Sequence, residues 1–320
     1  MKAYPIVFSA LGALATIAMG IGINKTFIQL EEPVSEVVET ATSDMADTES
    51  AGSIQHFPEI SMEDIPDDEK MKEDILFGYN LVNETHVYAD EYVGNQLSCT
   101  SCHAGAGLES SNASLVGVMA DYPQYIARSG GIVTIEERIN GCMVRSMNGK
   151  KFDVNSPELE AIVAYFKYIS TGVEIGTERP WAKSSDMKKV PLPSVSDGER
   201  LFQEKSCVAC HAADGAGNGA NTGPALWGDN SFNDGAGLAR LSKIAGYIQS
   251  YMPAGQEGTL TEQDAADLAA YILSQDRPEW KGHDKDWPKG GRPSDIMTKE
   301  RREQVQNGTM NWQELLADFQ

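Results

Sequence analysis

Two short motifs constrain this chain more than anything else in it: Cys99-Thr100-Ser101-Cys102-His103 and Cys207-Val208-Ala209-Cys210-His211. Cys-x-x-Cys-His is the attachment pattern of c-type haem. Two thiols separated by two residues reach the two vinyl groups of one porphyrin, and the adjacent imidazole is placed under the iron. A structural zinc site would need four ligands per metal in a compact pattern, and neither motif has them nearby. A thioredoxin-type pair does not require the following histidine. The chain is therefore expected to hold two covalent haems through Cys99, Cys102, Cys207 and Cys210, with His103 and His211 as proximal iron ligands.

Each motif sits in a similar frame. An amphipathic stretch precedes each, around Phe77-Gly78-Tyr79 and Asp197-Gly198-Glu199. A helical segment follows each. The first opens at Ser156-Pro157, serine as N-cap and proline at the first helical position. The second opens at Thr261, and Ala-Tyr-apolar recurs in both, at Ala164-Tyr165-Phe166 and Ala270-Tyr271-Ile272. This is the cytochrome c plan written twice. The expected fold is all-α, two cytochrome c-like domains in tandem over 71–175 and 190–277, joined by a linker at 176–189. A C-terminal extension covers 278–320.

Within residues 1–30, Lys2 precedes an uncharged apolar run over 4–23. That length fits a spanning helix better than the shorter core of a cleaved signal peptide. A signal peptide and a membrane anchor both remain open, and either exports the rest of the chain to the periplasm. Residues 31–70 are acidic and poor in aromatics, which predicts a flexible spacer. With 47 acids against 26 basic residues, the net charge of -21 argues against a nucleic-acid binder.

The distal ligands separate a carrier from an enzyme. Met252 lies 41 residues after His211, before the last helix of its domain, where a distal ligand is expected. Thioether ligation raises the potential and suits electron acceptance. Pro224, 13 residues after His211, offers a carbonyl to orient the imidazole. In the first domain the repeat puts Cys142 in the distal place, 39 residues after His103. Thiolate ligation lowers the potential, which suits sulfur that also takes part in chemistry. Two other readings stay open: an inert buried thiol, or a neighbour of a ligating Met119, Met143 or Met147. Exchange between Cys142 and a methionine on reduction is a further case. Arg128, Arg138 and Arg145 cluster near Cys142 in sequence, and guanidinium groups suit oxyanions. They suit haem propionates equally well.

Glu137-Arg138-Ile139-Asn140-Gly141-Cys142, followed by Arg145-Ser146-Met147-Asn148-Gly149, resembles the first-haem signature of the dihaem thiosulfate dehydrogenases. So do the two haem motifs with Met252-Pro253, and Arg277-Pro278, Asp286-Trp287-Pro288 and Gly290-Gly291-Arg292-Pro293. The resemblance covers roughly 71–297. It implies coupling of two thiosulfates into tetrathionate, reversible in some members. It implies His103 and Cys142 on the active-site iron, and His211 and Met252 on the electron-transfer iron. Arg128 and Arg138 match arginines near the family's active site. Tyr251 stands where some relatives have a lysine that can ligate the second iron, so a Lys/Met exchange is not expected here.

Three function classes follow: a thiosulfate/tetrathionate oxidoreductase, a non-enzymatic dihaem carrier, and a haem subunit of a multi-protein sulfur-oxidising complex. The first needs an external electron acceptor, such as a soluble cytochrome or a membrane carrier.

Overall fold

The computed structural model describes residues 56–110, 113–182 and 185–320. The apolar run 4–23, and the spacer as far as residue 55, lie outside the described residues. Among the described residues no helix is long and apolar enough to cross a membrane.

Ten α-helices follow one another among the described residues: α1 Lys72–Asn83, α2 Thr85–Tyr88, α3 Ile135–Arg145, α4 Pro157–Tyr168, α5 Val195–Glu204, α6 Val208–His211, α7 Leu241–Tyr251, α8 Glu262–Ser274, α9 Lys299–Gln306 and α10 Trp312–Leu315. Their starts are chemically marked. Ser156 caps α4 by accepting from the Leu159 amide, with Pro157 in the first turn. Thr261 and Asp264 form a capping box on α8, and Thr134 and Glu137 form one on α3. Each such cap contributes about 1 kcal/mol.

The internal repeat is a pair of helix crossings. Helix α1 packs on α4, and α5 packs on α8. Both crossings bring backbone against backbone at a glycine. A Cβ on Gly78 would lie 2.0 Å from the Ala161 carbonyl oxygen, and one on Gly198 would lie 2.0 Å from that of Asp267. Tyr165 and Tyr271 flank these contacts, so the recurring Ala-Tyr marks the face each glycine meets. In the second domain Phe202, Trp227 and Tyr271 pack with ring centroids 5.4 to 5.7 Å apart. Phe202 is fully buried, and burial of such a side chain contributes about 1.5–3 kcal/mol.

The domains touch through polar groups. Asn95 Nδ2 donates to the carbonyls of Ser146 (2.8 Å) and Ser231 (3.1 Å). Asn233 Nδ2 donates to the carbonyl of Val144 at 3.0 Å, and the Asn233 amide donates to that of Arg145 at 3.2 Å. The end of α3, which carries Cys142, is thus tied directly to the second domain.

Three features depart from the sequence expectations. The fold is not purely α: β1 (Gln124–Ile126) pairs antiparallel with β2 (Gly131–Val133), and Arg128 lies on the connecting turn. Three-residue strands are too short for alternation to register. Residues assigned to the end of the spacer pack on the body. Ile65 is buried, the Ser61 carbonyl accepts from Tyr168 Oη at 2.9 Å, and Phe57 meets Trp181 edge-on. The C-terminal extension is integral as well. Asp295 accepts from the Ser242 amide and hydroxyl and pairs with Arg240, so it caps α7 from a distance. Leu315 and Leu316 are buried, and the Phe319 carbonyl accepts from the Val190 amide.

Candidate functional site

The first haem motif begins with a tight 3-10 turn over Cys99–Ser101. The Thr85 hydroxyl fixes it, accepting from the Cys99 amide at 3.0 Å and lying 3.4 Å from the Cys99 sulfur. His103 Nδ1 lies 2.6 Å from the Ala113 carbonyl oxygen, a distance at which Nδ1–H donates. That leaves Nε2 free to bind a metal. Burial above all pulls the His103 pKa down and favours the neutral ring that ligation needs.

The second domain repeats the device. His211 Nδ1 meets the Pro224 carbonyl oxygen at 2.8 Å, the partner the spacing predicts. Burial again lowers the imidazole pKa. Beside it opens a mainly apolar cavity. Cys207, Cys210 and His211 line one side, and Met252, Leu268 and Ile272 line others. Two thiols, an oriented imidazole and a thioether around an apolar slot fit a covalently held porphyrin. Ser101 and Cys102 of the first motif border the same cavity. Ser101 Oγ also donates to the Ala220 carbonyl at 3.1 Å. The two haem seats therefore share a wall.

Cys142 lies on α3, half-buried, one turn after Arg138. Arg138 Nη1 donates to the Cys142 sulfur at 2.7 Å, the i, i+4 geometry expected of a helix. The sulfur is the main cause of the raised Arg138 pKa, and Tyr122 adds to it. Met143 and Met147 are 1% and 3% exposed and belong to the hydrophobic core; Met119 lies at its edge.

The other two arginines differ from Arg138 and from each other. Arg128 pairs with Asp286 at 2.7 Å and stacks over Trp287, 4.7 Å from the ring centroid. Its carbonyl accepts from the Trp287 amide. Arg145 has no carboxylate partner within ion-pair distance among the described residues. Its guanidinium lies 5.9 Å from the Trp280 ring centroid. Burial first, then the Arg128 charge, pushes its pKa down to about 10. Gly141 gives it room: a Cβ there would come within 2.7 Å of Arg145 Nη2. The guanidinium consequently folds back over α3 toward Cys142.

The wall around these groups is the segment after α8, whose role sequence reasoning missed. Asp286 Oδ2 accepts from both Arg128 Nη2 (2.7 Å) and Trp280 Nε1 (3.1 Å). Asp234 fixes Trp280 from behind, accepting from its amide at 2.7 Å, from His283 Nε2 at 2.8 Å and from Arg302 Nη1 at 3.2 Å. Except for Trp280 and Asp286, the pairs are far apart in sequence, and they follow no period. The cluster Asp286-Trp287-Pro288 was the one available signal. What results is a cluster of cations and indole rings beside a cysteine, an arrangement suited to an anion.

Residues 85–175 match the family model described as SoxA/TsdA, cytochrome c domain, and residues 195–276 match that of cytochrome c. A thiosulfate dehydrogenase of Psychrobacter arcticus is 41% identical over 261 residues, 80% of this chain and 79% of that protein. One from Allochromatium vinosum is 36% identical over 219 residues, 66% of this chain and 81% of that protein. Among solved structures, the as-isolated thiosulfate dehydrogenase (TsdBA) of Marichromatium purpuratum superposes with a TM-score of 0.66 at 28% identity. That match covers 76% of this chain and 53% of the other, so the chain spans about half of that longer protein.

Proposed function

The chain belongs to the thiosulfate dehydrogenase family, and from that premise we propose that it joins two thiosulfates into tetrathionate at Cys142. It is a dihaem c-type cytochrome and an oxidoreductase of thiosulfate. The reading rests above all on Cys142, in hydrogen-bond contact with Arg138 and beside an unpaired Arg145.

Thiosulfate is a dianion, so bringing two together costs Coulomb energy that nearby cations offset. Arg145 receives the sulfonate end, and Trp280 excludes water from one side of it. The Cys142 thiolate bonds to the sulfane sulfur of the first thiosulfate, giving Cys–S–S–SO3⁻ and releasing two electrons. The second thiosulfate attacks that sulfane sulfur; the Cys–S bond breaks, the thiolate is regenerated and tetrathionate leaves. Arg138 offsets negative charge on the leaving sulfur. The haems, when bound, supply two one-electron acceptors on the way to an external acceptor. His103 and Cys142 would hold the first haem iron in this reading, and His211 and Met252 the second. The shared wall at Ser101 and Cys102 supports transfer from the first seat to the second. Export to the periplasm fits covalent haem attachment.

The test is thiosulfate turnover by purified holoprotein with ferricyanide. One tetrathionate for every two ferricyanides reduced is expected; ferricyanide reduction without tetrathionate overturns the coupling. A second expectation concerns Arg145→Gln. Loss of a charged contact to substrate costs about 1.5–3 kcal/mol, so kcat/KM should fall about 10- to 100-fold, mostly through KM. Because burial disfavours the unpaired cation, the variant should unfold at an unchanged or higher temperature. Loss of stability alongside unchanged KM would reassign Arg145 to a structural role.

A further inference from the structure

Trp280 is anchored at four points. Its amide donates to Asp234 at 2.7 Å, and its Nε1 donates to Asp286 Oδ2 at 3.1 Å. Two glycines make room for its side chain. A Cβ on Gly235 would lie 2.4 Å from Trp280 Cγ, and one on Gly282 would lie 2.4 Å from Cζ2. Neither glycine adopts a left-handed φ, so the indole rather than the backbone is what bars a side chain at both positions. The Arg145 guanidinium lies 5.9 Å from the ring centroid, within the reach of a cation–π contact. Other arginines of the chain are held by acids: Arg128 by Asp286, Arg179 by Asp121, Arg240 by Asp295 and Arg302 by Asp234. Arg145 has an aromatic ring in that place.

The difference matters for an anion site. A carboxylate would fix Arg145 and cancel its charge. An aromatic ring attracts the cation through its quadrupole and adds no net charge. Anchoring the ring therefore fixes a guanidinium whose charge stays available to a ligand. We propose that Trp280 is a positioning residue for thiosulfate: seated against Gly235 and Gly282, its indole sets where Arg145 presents its charge to the dianion. The proposal rests on the reading of Arg145 as the sulfonate site. It adds to that site two glycines that the substrate need not touch.

The experiment measures KM and kcat for thiosulfate, with the holoproteins and ferricyanide, in Trp280→Leu, Trp280→Phe, Gly282→Ala and the Trp280→Phe/Gly282→Ala double variant. Leu removes both the ring and the bond to Asp286, whereas Phe keeps a ring. KM should rise about 3- to 30-fold in Trp280→Leu, with a smaller change in kcat, and Phe should recover part of the loss. Gly282→Ala must push the indole aside, so KM should rise there too, and much less once Phe stands at position 280. An unchanged KM in both Trp280→Leu and Gly282→Ala overturns the proposal. So does an equal effect of Gly282→Ala in the two backgrounds. Should Trp280→Leu fail to fold, the Gly282→Ala comparison decides. Arg145→Gln, run alongside, separates the two readings. Its KM unchanged sinks the sulfonate site itself; its KM raised while the Trp280 and Gly282 variants stay at wild type sinks only the positioning. Ferricyanide reduction reads KM whatever the oxidised product is, so a failure of tetrathionate coupling leaves this test intact.

Discussion

Replacing Cys142 with glycine should leave both haems attached and reduce tetrathionate formation by at least about 10³-fold. In this reading attachment would depend on Cys99, Cys102, Cys207 and Cys210, which lie apart from α3. The fold should tolerate the change. Cys142 is only half-buried, and the helix is started by its own capping box at Thr134. What disappears is the sulfur that forms and then releases the sulfane bond. Arg138 also loses its 2.7 Å partner, though Tyr122 still faces it. Mass spectrometry counts the haems, and the ferricyanide assay reads turnover. Wild-type kcat with two haems present would move the chemistry away from Cys142. A separate control is Arg138→Gln, which keeps the sulfur and should therefore lose less.

Much of this site could be read from local sequence because its chemistry is local. The four-residue step from Arg138 to Cys142 and the 13-residue step from His211 to Pro224 each became a short contact. The tandem helices were legible because caps and apolar periodicity agree at Ser156 and Thr261. Three arginines near Cys142 looked alike in sequence, and the structure separates them. Arg128 is neutralised by Asp286, Arg138 donates to the Cys142 sulfur, and Arg145 lies over Trp280 with no carboxylate partner among the described residues. That sorting depends on a segment more than 130 residues away. No periodic pattern announces Asp286 under Arg128, Asp295 capping α7, or Arg302 beneath Asp234. Such contacts are fixed by tertiary packing, which single-chain patterns do not encode.

Asp234 is where that long-range order concentrates, and Asp234→Ala should cost about 3–5 kcal/mol of stability. The side chain is nearly fully buried and serves three donors, from His283, Trp280 and Arg302. Its own amide donates to the Pro278 carbonyl at 3.0 Å. Removing the carboxylate leaves Arg302, 3% exposed, as an uncompensated buried cation. It also frees Trp280, which bears on both Arg145 and Asp286. The stability loss should therefore be accompanied by a higher KM for thiosulfate, although Asp234 never meets the substrate. The pH dependence has a definite sign. Burial opposes the ionised form, but the hydrogen bonds from His283 and the Trp280 amide outweigh it and hold the carboxyl below its ordinary range. A depressed folded pKa contributes stability above the unfolded value, and that stability is lost as pH falls through the folded value. Asp234→Asn should thus lose stability at neutral pH and show a flatter acid limb than wild type. Urea unfolding of the holoproteins at neutral and acidic pH measures both effects. An Ala variant within about 0.5 kcal/mol of wild type, the range of ordinary surface changes, would mean that the segment after α8 stands without this hub.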